Sequence, residues 1–115
     1  MKDAAVASKM TTVPELAALH PETVSERLTE QAARIPDRVL LVTPERSVTF
    51  GEMESAANRV ARGFEDIGVG KGDAVCQLLP NCEAIVVNWM ALAKLGAINA
   101  PLNYQFHGAA LARVI

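Results

Sequence analysis

Between Thr49 and Ile67 the apolar residues recur at helical spacing. Met53, Ala56, Ala57, Val60, Ala61, Phe64 and Ile67 follow the i, i+3, i+4, i+7 rule. Glu52, Glu54, Ser55, Asn58, Arg59, Arg62, Glu65 and Asp66 fill the other face. This is an amphipathic helix with one side on a core. Thr49-Phe50-Gly51-Glu52 starts it as a capping box, in which hydroxyl and carboxylate each satisfy a free backbone N–H. Gly68 stands at the C′ position, where a left-handed residue ends a helix, and Val69 is placed to fold back on Phe64.

The same logic applies on both sides of this helix. Thr23-Val24-Ser25-Glu26 is another capping box, and the helix behind it should run to about Ile35 with Val24, Leu28, Ala32 and Ile35 as its apolar stripe. Pro36 and Asp37 stop it. Arg38 to Thr43 and Ser47 to Phe50 are rich in β-forming residues, and Pro44-Glu45-Arg46 between them supplies a turn, so the two runs predict a hairpin. Downstream, Gly70 to Asp73 form a polar turn and Ala74 to Leu79 a third strand, closed by Pro80. Asn81 is a good N-cap, and Glu83 suits the positive end of the helix that follows. Ile85, Val86, Val87, Trp89, Met90, Leu92, Ala93 and Leu95 cover nearly its whole circumference, the mark of a buried helix. Gly96 caps its end and Lys94 suits the negative pole there. Ala97 to Ala100 read as a short buried strand that Pro101 ends. Strand, helix and strand make a β-α-β unit, which requires parallel pairing and a right-handed crossover. Another helix begins after His107 and is unfinished at Ile115, so the sequence reads as the start of something longer.

Composition narrows the function classes. The chain has 115 residues, and 50% are hydrophobic against 21% charged, which is globular rather than disordered. A net charge of -2 offers no basic field for nucleic acid, and 4% aromatics offer no base-stacking platform. Cys76 and Cys82 make neither a disulfide framework nor a metal spacing, so a reduced, cytoplasmic setting is the default. Residues 1–22 read as a loose leader, with a short turn of helix around Glu15 to Leu19. Lys2, Asp3 and Lys9 break any signal-peptide core, and no apolar run approaches the roughly 20 residues of a membrane span.

Candidate chemistry is sparse. Gly68-Val69-Gly70-Lys71-Gly72-Asp73 has the glycines of a phosphate loop. Lys71 is followed by Gly72 rather than Ser or Thr, however, and the segment leaves a helix and enters a strand, so it reads as a turn. Cys82 falls near a helix start, where a thiolate is favoured, but reads as a small inert residue. His20 and His107 have no partner at catalytic or metal spacing. Trp89 and Met90 read as core rather than pocket, which implies a cost of roughly 3–5 kcal/mol for Trp89→Ala.

Several short segments together resemble one family. Val48-Thr49-Phe50-Gly51-Glu52-Met53 is similar to the first core motif of AMP-forming acyl-CoA synthetases and adenylation domains. Asn58-Arg59-Val60-Ala61, Gly68-Val69 and Gly72-Asp73-Ala74-Val75 recur at the same relative places, and Asn81 with Glu83 resembles the next helix start. Leu92-Ala93-Lys94-Leu95-Gly96-Ala97, then Pro101-Leu102-Asn103, resembles the second core motif. The likeness covers about Thr23 to Ile115.

The resemblance implies an α/β fold: residues 23–115 begin the large N-terminal domain of an adenylate-forming enzyme, with a β-hairpin and a parallel β-α-β unit flanked by helices. It implies a parent ligase using ATP, Mg and CoA, which activates a fatty or small aliphatic carboxylate as an acyl-adenylate and passes it to CoA. The family's phosphate loop, acidic metal ligand, ribose-binding Asp and late lysine match nothing in this chain. No catalytic or metal-binding residue is therefore assigned, and the 115 residues alone should be inactive. Many CoA-using relatives carry a basic residue shortly after Pro-Leu-Asn; here Tyr104-Gln105-Phe106 follow. Gln105 is the candidate CoA-proximal residue, able to hydrogen-bond a phosphate but not to neutralise it. Two alternatives are an acyl-AMP ligase or peptide-synthetase adenylation domain, and a non-catalytic protein that binds a partner through a free sheet edge. Homo-oligomerisation is compatible with either.

Overall fold

Both capping boxes form. In the computed structural model, which describes residues 23–115, helix α1 (Val24–Arg34) starts where the Thr23 hydroxyl accepts from the Glu26 N–H and the Glu26 carboxylate accepts from the Thr23 N–H. Thr49 and Glu52 make the same exchange at the start of α2 (Phe50–Asp66). Between them run β1 (Val39–Val42) and β2 (Ser47–Thr49), paired antiparallel as the expected hairpin with an irregular register between Val39 and Leu41. The turn is closed by Thr43, whose N–H and hydroxyl both donate to the Arg46 carbonyl. Helix α2 ends in a Schellman motif: Gly68 has φ +95°, its N–H donates to Glu65, and the Val69 N–H donates to Phe64.

The chain continues as β3 (Ala74–Gln77), α3 (Glu83–Leu95), β4 (Ile98–Pro101) and α4 (Gly108–Val114). Strands β3 and β4 pair in parallel, in register from Ala74↔Ile98 to Gln77↔Pro101, so the β-α-β unit is present and the architecture is α/β. It is a pair of two-stranded sheets, β1-β2 and β3-β4. The core lies between the hairpin and helices α1, α2 and α3. Leu28, Val48, Met53, Ala57, Val87 and Met90 form its buried cluster, with Phe50, Val60 and Val86 packed against it.

Four local expectations are corrected. The N-cap of α3 is Cys82, without a side-chain cap bond, and Asn81 lies one residue outside. Helix α3 is not buried all round: Val87, Met90, Ala91 and Leu92 are, but Trp89 is 43% exposed, because no described element covers that side. Ile67 falls off the α2 stripe, 77% exposed, because it is already the C-cap. Pro101 does not end the ladder; it is the last residue of β4. Ile98 and Leu102 donate towards the β3 side, to the carbonyls of Asp73 just before β3 and Gln77 at its end, so alternation turns the Pro101 nitrogen to the free edge, where no N–H is needed. The expected turn of helix at Glu15 to Leu19 and the leader lie outside the described residues.

Candidate functional site

Ligands of open α/β sheets bind outside the carboxyl ends of the strands. Here those ends lie side by side, because parallel pairing brings Gln77 opposite Pro101. Beyond them the chain turns into α3 on one side and through residues 102–107 towards α4 on the other. The second turn is built by Asn103, whose side-chain oxygen accepts from the Gln105 N–H at 3.0 Å and whose carbonyl accepts from the Phe106 N–H at 3.0 Å. This fold leaves Gln105 exposed and Tyr104 half-exposed at the strand ends. The loop is thus where a ligand contact from this segment would arise.

Beneath the loop lies an amide network that sequence reasoning missed. Gln77 is 4% exposed, and burial of its carboxamide is compensated in full. Its Nε2 donates to the Asn99 Oδ1 at 2.7 Å and to the Ile85 carbonyl at 3.2 Å, and its Oε1 accepts from the Asn88 Nδ2 at 3.0 Å. One side chain thereby joins β3, β4 and α3. The available signal was positional: Gln77 and Asn99 stand on the strand face that looks at α3, and Asn88 interrupts an apolar helix. The opposite face of this parallel pair, with Ala74, Cys76 and Ile98, is exposed.

Two ionic clusters hold the helices. Lys94, expected to serve the helix end, instead reaches Glu54 on α2 at 2.9 Å to both carboxylate oxygens and the Thr29 hydroxyl on α1 at 3.2 Å. Arg46, in the hairpin turn, takes Glu83 in a fork, Nε to Oε2 at 3.0 Å and Nη2 to Oε1 at 2.6 Å, while its Nη1 reaches Glu52 at 2.8 Å. The Arg46 guanidinium holds the Glu52 and Glu83 carboxyls below the usual carboxylate range, with Thr49 adding to the effect on Glu52. The two carboxylates in turn keep Arg46 firmly charged, Glu83 more strongly. Beside this cluster an apolar groove of about 420 Å³ separates the hairpin from α3, lined by Leu41, Val42, Pro44, Cys82, Ile85 and Val86 among others.

The remaining candidates are dispersed. Met90 belongs to the core and Trp89 to the surface. Cys76 and Cys82 are free thiols. His107 is the N-cap of α4, without a side-chain cap bond, and His20 lies outside the described residues. Residues 68–73 form a helix-to-strand turn, in which the Gly72 N–H donates to the Gly96 carbonyl and the Asp73 carboxylate accepts from the Gly70 N–H. Among the described residues no group of three His, Cys, Asp or Glu could hold a metal ion, and no helix is long and apolar enough to cross a membrane.

Comparison with known proteins gives this scaffold a context. The family model described as AMP-binding enzyme matches residues 28–115. A medium/long-chain-fatty-acid–CoA/3-oxocholest-4-en-26-oate–CoA ligase from Mycobacterium marinum is 38% identical over 72 residues, 63% of this chain and 13% of that protein. 4-Coumarate–CoA ligase 3 from Oryza sativa subsp. japonica is 33% identical over 93 residues, 79% of this chain and 17% of that protein. The matched segment is therefore under a fifth of the length of these relatives. Among solved structures, a protein from Rhodopseudomonas palustris named as a long-chain-fatty-acid CoA ligase superposes with a TM-score of 0.77 at 32% identity, over 84% of this chain and 24% of that one. The NpsA N-terminal subdomain from Klebsiella oxytoca gives 0.75 at 26% identity, over 81% and 24%.

Proposed function

Because the chain belongs to the AMP-binding enzyme family, we propose that it builds the first layers of the N-terminal domain of an ATP-dependent carboxylate–CoA ligase. The observation that carries this reading is the family match over residues 28–115, which runs through both motifs of the resemblance. In such a parent a carboxylate oxygen attacks the α-phosphate of ATP, and the bond to pyrophosphate breaks. A CoA thiol then attacks the acyl carbon, losing its proton, and AMP leaves. Both steps depend on positioning and on neutralising phosphate charge. Among the described residues no group of three His, Cys, Asp or Glu stands together, and no step of that chemistry is assigned to them. Their part is to set the strand ends and the loop of residues 102–107.

The proposed substrate class is a fatty or other small aliphatic acid, in a cytoplasmic setting. The names of the fatty-acid–CoA ligase relatives favour it. The decisive experiment is carboxylate-dependent ATP–pyrophosphate exchange by the complete enzyme across aliphatic acids and 4-coumarate. Turnover with the aliphatic acids and none with 4-coumarate is expected; the reverse would move the proposal to aromatic acids. The 115-residue chain alone should show no exchange, and exchange by it would overturn the scaffold role. Gln105 is proposed to contact a CoA phosphate: in the complete enzyme Gln105→Ala should raise KM for CoA and leave exchange unaltered. An unchanged KM would remove Gln105 from the site.

A second reading keeps the adenylation step and changes the acceptor to a carrier-borne phosphopantetheine. The match to NpsA-ThdA, an artificially fused adenylation–PCP di-domain from Klebsiella oxytoca, with TM-score 0.77 at 26% identity, favours it. Acyl transfer to a carrier protein but not to free CoA would establish that reading in place of the first.

A further inference from the structure

We propose that Arg46 is a latch that holds the hairpin tip against α3 and sets access to the apolar groove between them. The groove has two walls, residues 41–45 of the hairpin and residues 81–86 at the start of α3. Leu41 at the base of the hairpin wall packs against the core, but beyond it the tip has little else to hold it there. Its ladder beyond the irregularity at Val39 and Leu41 consists of the pairs Leu41↔Val48 and Val42↔Ser47. The Thr43 bonds close the turn on itself and do not reach α3. Among the described residues, the hydrogen bonds that join residues 43–46 to α3 are the two from Arg46 to Glu83. The third bond, to Glu52 at the start of α2, aims the guanidinium from the opposite side.

The latch is made to yield. Arg46 is 49% exposed, Glu52 46% and Glu83 29%, so solvent competes for each bond and salt screens the attraction. A fork of two charge-assisted bonds still sets one geometry when closed. When it opens, residues 42–45 can swing beyond Leu41, which stays packed on the core opposite the buried Val48, and the groove widens at its outer end.

Cys82 reports on this, because it lines the groove and is only partly buried. The test is made on the 115-residue chain carrying Cys76→Ser, since Cys76 is exposed and would react first. Concentration is kept where light scattering shows a monomer. Arg46→Gln should raise the rate of Cys82 alkylation by iodoacetamide about two- to fivefold, the range that exposed ion pairs govern. Arg46→Lys, which keeps the charge but not the fork, should fall between. High salt should raise the rate with Arg46 present and leave Arg46→Gln unmoved. Hydrogen exchange at the Met53 and Ala57 amides of α2 should stay constant throughout. An unchanged Cys82 rate in Arg46→Gln overturns the latch, and so does a rise that the α2 amides match, since that would be general loosening.

Discussion

The Lys94–Glu54 contact should be worth more than a surface ion pair, and the two partners should not be equal. The pair ties the last turn of α3 to the first turns of α2, and the Thr29 hydroxyl brings in α1 by donating to Glu54 at 2.9 Å. Exposed pairs contribute about 0–1 kcal/mol, whereas removing one partner of a fully buried pair costs about 3–5 kcal/mol. Here the side chains are 14% and 18% exposed, which lies between these limits. Glu54→Met leaves the ammonium with the Thr29 hydroxyl at 3.2 Å and should cost about 2 kcal/mol. Lys94→Met leaves the carboxylate with Thr29 and with Asn58 at 3.4 Å, and keeps the apolar stem, so about 1 kcal/mol is expected. The double variant has no unpaired charge and should cost less than the sum by about 1 kcal/mol or more. Urea unfolding of the four chains measures the cycle, and Glu54→Met should lower Tm by roughly 8–16 °C. If both single variants cost less than about 0.5 kcal/mol and add without coupling, the pair behaves as a surface contact and the reasoning from burial fails.

Acid should act through the Arg46 cluster. The folded values of Glu52 and Glu83 lie below the unfolded 4.5, so their stabilisation is present above that pH and is lost as pH falls through the lowered values. Arg46→Gln should flatten this acid limb in urea midpoints taken from neutral pH downwards; an unchanged limb would place the acid sensitivity elsewhere. Met53 is fully buried, so Met53→Ala should cost about 2–5 kcal/mol. Trp89→Ala should cost only about 1–2 kcal/mol, since nearly half of the side chain already meets water. Acrylamide should quench Trp89, the single tryptophan, readily in the folded chain. Gly96→Ala should cost more than Gly68→Ala in the same unfolding assay. Both adopt positive φ, worth roughly 1–2 kcal/mol to a side chain. Only at Gly96 would the new Cβ press a neighbour, the Lys71 Cγ at 3.2 Å, while at Gly68 it meets open space.

What the sequence determined by itself was most of what closes within a few residues of chain. Both capping boxes, the Thr43–Arg46 turn and the glycine endings at Gly68 and Gly96 join groups at most five positions apart. Their geometry follows from backbone stereochemistry whatever the rest of the molecule does. The α/β order and the parallel β-α-β unit followed from them. The family was legible too, because its motifs are these same local structures in fixed order. The register of the start of α3 failed narrowly, where Cys82 rather than Asn81 is the cap.

Only the tertiary structure decided which distant groups meet. Gln77 finds Asn99 across 22 positions, Arg46 finds Glu83 across 37, and Lys94 finds Glu54 across 40. Helical periodicity says that a residue lies on a face, but not what stands opposite that face. Trp89 therefore read as core and proved half-exposed, while Gln77, one position of the expected third strand, proved to be the buried joint of three elements. Periodicity is a property of one element, whereas burial and pairing belong to the space between elements, which is set only when they pack.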